Sequence, residues 1–114
     1  MDLQIKRESE FYKLTLEKVQ ESFERLTRTE YIVRMEKVTT SSKSKKGRVI
    51  ERKEYAAPTL FTLASMLAAQ VPYNEEDYIT KISKPYVHKG RVHLHVSDSE
   101  LIDFCHKYQE QSIK

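Results

Sequence analysis

The chain has 114 residues, 39% of them hydrophobic and 32% charged, with a formal net charge of +3, two Gly, three Pro and one Cys. That length carries one domain with a single core and leaves no room for two, and so little Gly and Pro excludes a linker-rich or low-complexity chain. The lone Cys105 excludes an intrachain disulfide and points to a reducing compartment, cytoplasmic or nuclear.

The N-terminal stretch Met-Asp-Leu-Gln-Ile-Lys-Arg-Glu has no apolar run of the kind a signal peptide needs. Tyr12, Leu16, Val19, Phe23 and Leu26 follow at spacings of four and three, which predicts an amphipathic helix over 8–27. The same spacing makes a heptad seam of about two turns of the repeat, which allows a homodimer contact. Glu30 to Val38 is rich in β-branched and aromatic residues and reads as a strand. After the polar run Thr39 to Gly47, Arg48 to Tyr55 returns to strand character, so 30–55 is expected to be a hairpin with a long polar tip and with positive φ at Gly47.

Tyr55 to Asn74 holds no charge at all and reads as a central buried helix over 58–71, started by Pro58 and stopped by Pro72. Its roughly 13 helical residues are too few to cross a bilayer, which takes about 20. Asn74, with Glu75, Glu76 and Asp77 behind it, reads as the cap of a short helix running to about Ser83. Pro85 to Val96 predicts a second hairpin, 85–96, turning at Lys89-Gly90. Ser97-Asp-Ser-Glu100 is a capping box and opens a helix over 98–110 with Leu101, Phe104, Cys105 and Tyr108 on one face. The expected fold is a single α+β domain, residues 1–114, in the order α-ββ-α-α-ββ-α, with an antiparallel sheet of two hairpins packed against helices.

Charge is segregated along this plan. From Lys37 to Lys53 there are seven basic residues and one acidic, and from Ile79 to Val96 four basic and none acidic, while Glu54 to Tyr78 has four acidic and none basic. Such segregation is the footprint of a surface that meets a polyanion. The candidate nucleic-acid-binding residues are Lys43, Lys45, Lys46, Arg48, Arg52 and Lys53 on the first hairpin, and Lys89 and Arg91 on the second. Lys and Arg neutralise phosphates, and a two-stranded ribbon fits a DNA groove. Tyr31, Tyr55 and Tyr86 would stack on bases where exposed.

No motif points to an enzyme. Cys105 falls on an apolar helix face, and Gly47 and Gly90, far apart, make no phosphate-binding loop. His93 and His95 alternate on one strand with His88 opposite, but Cys105 and His106 point about 100° apart and complete no zinc set; the alternation instead turns His93 and His95 to solvent or nucleic acid and Val92, Leu94 and Val96 to the core. The function expected is a small non-enzymatic nucleic-acid-binding or accessory protein, DNA or RNA, with no cofactor, no metal and no membrane contact. The alternatives are a protein-protein module, acting as adaptor, subunit or inhibitor through the N-terminal helix and acidic helical surfaces, and, less favoured, a metal-dependent enzyme built on His93 and His95.

Overall fold

The first half of the chain forms three long strands: a strand stands where the helix over 8–27 was expected, and the expected hairpin is longer than 30–55. A computed structural model describes residues 9–41 and 44–112. Its elements are β1 (Ser9–Phe23), β2 (Leu26–Ser41), β3 (Ser44–Ala57), α1 (Leu60–Gln70), β4 (Tyr78–Lys81), β5 (Tyr86–His88), β6 (Arg91–Leu94) and α2 (Asp98–Ser112). The order is therefore β-β-β-α-β-β-β-α, which overturns both the expected element order and the two-hairpin sheet.

The error over 8–27 has a simple geometry. In a strand, a spacing of four keeps a side chain on the same face and a spacing of three moves it to the other. Tyr12 and Leu16 face one side of β1, and Val19 and Phe23 face the other, so a strand buried on both sides imitates a helical stripe. Leu14 and Leu16 are buried on one face, Glu17 and Val19 on the other. The β-branched and aromatic content of the segment (Phe11, Tyr12, Thr15, Val19, Phe23) fits the strand better than the helix.

Asn74 caps no helix. Its Oδ1 accepts a bond from the Glu76 N–H at 3.1 Å, and its carbonyl accepts one from the Asp77 N–H at 3.0 Å. This closes a turn. Asp77 Oδ1 then accepts the Tyr12 N–H at 2.9 Å, bringing the chain to the edge of β1. The following Tyr78–Lys81 pairs with Lys13–Leu16 in parallel, so a strand replaces the expected short helix.

The sheet runs β3-β2-β1-β6-β5, with β4 also on β1. β1 pairs with β2 along its whole length. Its other edge is shared: β4 takes Lys13–Leu16, and β6 takes Lys18–Gln20 in antiparallel fashion. Both helices lie over one face. There Leu14, Leu16, Val33, Met35 and Ala57 of the sheet meet Leu63, Ala64, Leu67, Phe104 and Tyr108 of the helices. Thr59 caps α1, accepting the Thr62 N–H on its hydroxyl at 3.2 Å, so Pro58 precedes the cap and does not open the helix. The capping box of α2 closes reciprocally: the Glu100 N–H donates to Ser97 Oγ at 3.1 Å and the Ser97 N–H to Glu100 Oε1 at 3.0 Å. Tyr108 Oη donates to the Val71 carbonyl at 2.6 Å, fixing the end of α1 to α2.

Gly47 has a role other than the one expected of it. The left-handed backbone is found at Glu24, Lys89 and Gly90. At Gly47 a Cβ would stand 2.2 Å from Val38 Cγ1, so the strand closes here only without a side chain. The position lies within the irregularity in the β2–β3 register between Thr39 and Ser41.

Candidate nucleic-acid interface

The two basic segments share a sheet but sit at its opposite ends. Arg48 is opposite Thr39, itself opposite Glu10. Arg91 adjoins Val92, which is opposite Gln20. Ten residues of β1 separate these levels, about 34 Å at ~3.4 Å per residue. The structure therefore does not gather Arg48 and Arg91 into one patch.

Each candidate cation has a distinct setting. Lys43 lies outside the described residues, and Lys45 and Lys46 are positions of β3. Arg48 is exposed and, among the described residues, has no carboxylate partner. Arg52 pairs with Glu36 at 3.1 Å and Lys53 with Glu51 at 3.1 Å, both on the surface. Lys89 is exposed at the β5–β6 turn with φ of 51°. Arg91 is held by Glu21 at 2.9 Å and Glu30 at 3.3 Å. The exposed Arg52 and Lys53 pairs contribute little, and a phosphate can replace the carboxylate there at small cost, whereas the Arg91 pairs are partly buried. Tyr31 is partly buried and donates to Glu100 at 3.0 Å, and Tyr55 is packed against the core, so neither offers a free ring; only Tyr86 is exposed, and its ring is stacked on His93.

His93 does not face solvent as the alternation suggested. It is 4% exposed on the sheet face that carries no helix. Its Nδ1 stands within hydrogen-bonding distance, 3.2 Å, of Oε2 of Glu17, which is fully buried. Arg34 pairs with the other Glu17 oxygen and reaches Glu54 with its Nε at 3.2 Å. Tyr86 lies flat on the His93 ring, centroids 4.3 Å apart and planes at 10°, with its hydroxyl 3.4 Å from Glu17. A single buried carboxylate thus gathers β1, β2, β5 and β6. Beside it an open concavity of about 520 Å³ is bordered by Thr15 and by three cations, Arg34, Arg52 and Lys53, against two carboxylates, Glu36 and Glu54.

The sequence reading missed this network because its members are far apart in the chain. The one local signal was Glu17, an acid in the apolar run between Leu16 and Val19, and it shows only once β1 is read as a strand.

Other chemistry is not assembled here. Among the described residues no group of three or more His, Cys, Asp or Glu is arranged to hold a metal ion. Burial pushes the half-buried Cys105 thiol pKa up, away from a reactive thiolate. No helix among the described residues is long and apolar enough to cross a membrane. The amphipathic N-terminal helix required by the protein-protein reading is absent. Comparison with protein families, with curated proteins and with solved structures yields no match.

Proposed function

We propose that this protein is a non-enzymatic nucleic-acid-binding or accessory protein that grips phosphates with the β2–β3 end of its sheet. The observation that carries this reading is the seven-to-one excess of basic residues between Lys37 and Lys53, on a hairpin whose tip lies well beyond Tyr55 and Ala57, where β3 meets the core. Among the described residues Arg48 has no carboxylate partner there, and the Arg52 and Lys53 pairs are exposed enough to exchange partners. Contacts made through Lys and Arg to phosphate oxygens give affinity that is tolerant of sequence and sensitive to salt.

The test is a titration of duplex DNA, single-stranded DNA and RNA at two salt concentrations. Wild type is expected to bind at low salt and weaken steeply as salt rises. The Lys43/Lys45/Lys46/Arg48→Ala variant is expected to bind at least tenfold more weakly, with a salt slope shallower by up to ~3.6 on duplex, from about 0.9 per phosphate contact. Wild type binding none of these polymers at low salt ends the reading. Equal binding by the variant ends the assignment to the hairpin. A pull-down that returns one stoichiometric protein and no nucleic acid favours the protein-protein reading.

A further inference from the structure

The outer edge of β3 is open. The sheet order ends at β3, and among the described residues no strand pairs with its far side. From Glu51 to Ala57 its register with β2 is regular, so this stretch turns a regular row of main-chain donors and acceptors outward.

An uncharged helix flank lies above that edge. α1 holds no charged residue, and Thr62, Met66 and Gln70, spaced by four, are all exposed. α1 packs over β3 and β2, whereas α2 reaches the other side of the sheet at β4. Phe61 borders a groove with Asp103 and Lys107 of α2. Met66 lies about 140° further round the helix, at ~100° per residue, and so on the opposite flank, the side of β3. A helix without charge on any side is ordinarily covered all round; the outer face of this one is bare.

The charges along β3 say what fits. On the sheet face that carries no helix, Lys13, Glu36 and Arg52 stand in register across the strands, and Thr15, Arg34 and Glu54 form the next such row. We propose that a second copy of this chain pairs its β3 antiparallel with this one, about a two-fold axis at Lys53. Arg52 of each chain then stands opposite Glu54 of the other. A single row reads Lys13, Glu36, Arg52, then Glu54 and Arg34 of the second copy, with the sign alternating throughout. A two-fold pairing keeps like faces together, so its registers differ by slips of two residues. A slip either way sets Arg52 or Glu54 opposite itself, and the charges therefore select this register. Lys53 meets its own copy at the axis, where each is held by its own Glu51 at 3.1 Å.

The ladder pairs main-chain groups of both chains, and the two α1 flanks meet above it and cover Met66. The contact is isologous, so it closes with two copies and leaves neither β3 edge free. One ladder and one helix flank make an interface of the small, transient class, below about 1,200 Å² in total, so the dimer dissociates on dilution.

The experiment is sedimentation velocity of the full chain, freed of nucleic acid, over a concentration series. Wild type is expected to shift from monomer to dimer as concentration rises. Glu54→Arg and Arg52→Glu each set like charges opposite one another at both pairs, and each is expected to weaken the dimer at least about tenfold. The two variants are complementary to each other at both pairs, so mixing them is expected to restore a heterodimer. Met66→Glu is expected to weaken the dimer as well. All three positions are exposed, and melting curves check that the variants fold. Lys53→Cys in a Cys105→Ser background is expected to form an intermolecular disulfide on oxidation, because directly opposed residues lie within the ~4.4–6.8 Å between Cα atoms that a disulfide spans. A monomer at every concentration overturns the proposal. A dimer that survives both charge reversals, or that mixing fails to restore, overturns β3 as its seam. A dimer without the Lys53→Cys cross-link overturns the register.

Discussion

The two faces of the sheet are buried by different means. On the helix-covered face the contacts are almost wholly apolar, with Leu14, Leu16, Val33 and Met35 under Leu63, Leu67 and Phe104. On the other face Val19 and Ile32 are equally buried without any helix, next to a fully buried Glu17. That face is closed by Arg34, His93 and Tyr86 converging on one carboxylate. Apolar burial is non-directional and degrades gradually, whereas a buried polar network holds only while every member is satisfied. The covered face supplies the bulk of the stability, and the open face fixes where the β5–β6 hairpin lies.

Three substitutions probe that contrast. Phe104→Ala empties a fully buried site on the covered face and should cost about 3–5 kcal/mol in urea unfolding. A cost near 1 kcal/mol would mean that α2 is loosely packed and that the covered face is not the main store of stability. Glu17→Gln keeps the shape but removes the charge that Arg34 and His93 meet, and should cost about 1–3 kcal/mol. In a double-mutant cycle with His93→Gln, the pair should couple by more than ~0.5 kcal/mol. Additive losses would show that His93 and Tyr86 pack over Glu17 without depending on it.

The smallest effect tests a flaw in the covered side. Among the described residues, Asp77 Oδ2 and Tyr55 Oη are buried without hydrogen-bond partners. Burial raises the Asp77 pKa, only partly offset by the Tyr12 N–H. The folded state then holds the proton to higher pH than the unfolded chain, so this contribution is present in acid and lost as pH rises through the folded pKa. Asp77→Asn keeps the acceptor for Tyr12 and should stabilise the protein by up to ~1 kcal/mol at neutral pH, with no gain in acid. A gain that does not change with pH would place its cause outside Asp77 titration.

The same contrast explains which parts of the fold were legible. The Ser97–Glu100 capping box and the uncharged block are local signals, and α1 and α2 stand where they point. The β2–β3 hairpin and the Lys89-Gly90 turn are local as well. β1 was not legible as a strand because both of its faces are buried, which erases the two-residue period that marks a half-exposed strand. β4 was misread because Asn74 and three acids resemble a helix start, and only pairing with a strand 65 residues away reveals otherwise. As for the candidate site, charge segregation was visible, but its division between two ends depends on β6 meeting the later half of β1, a contact that no local pattern encodes.

β2 connects those two ends without a break. Its 16 residues run from Leu26, next to the Glu24-Arg25 turn, to Ser41 at the other end of the sheet, about 54 Å at ~3.4 Å per residue. A continuous strand has no hinge, so the spacing between the two ends is set by the number of residues in β2 alone, and the strand acts as a molecular ruler.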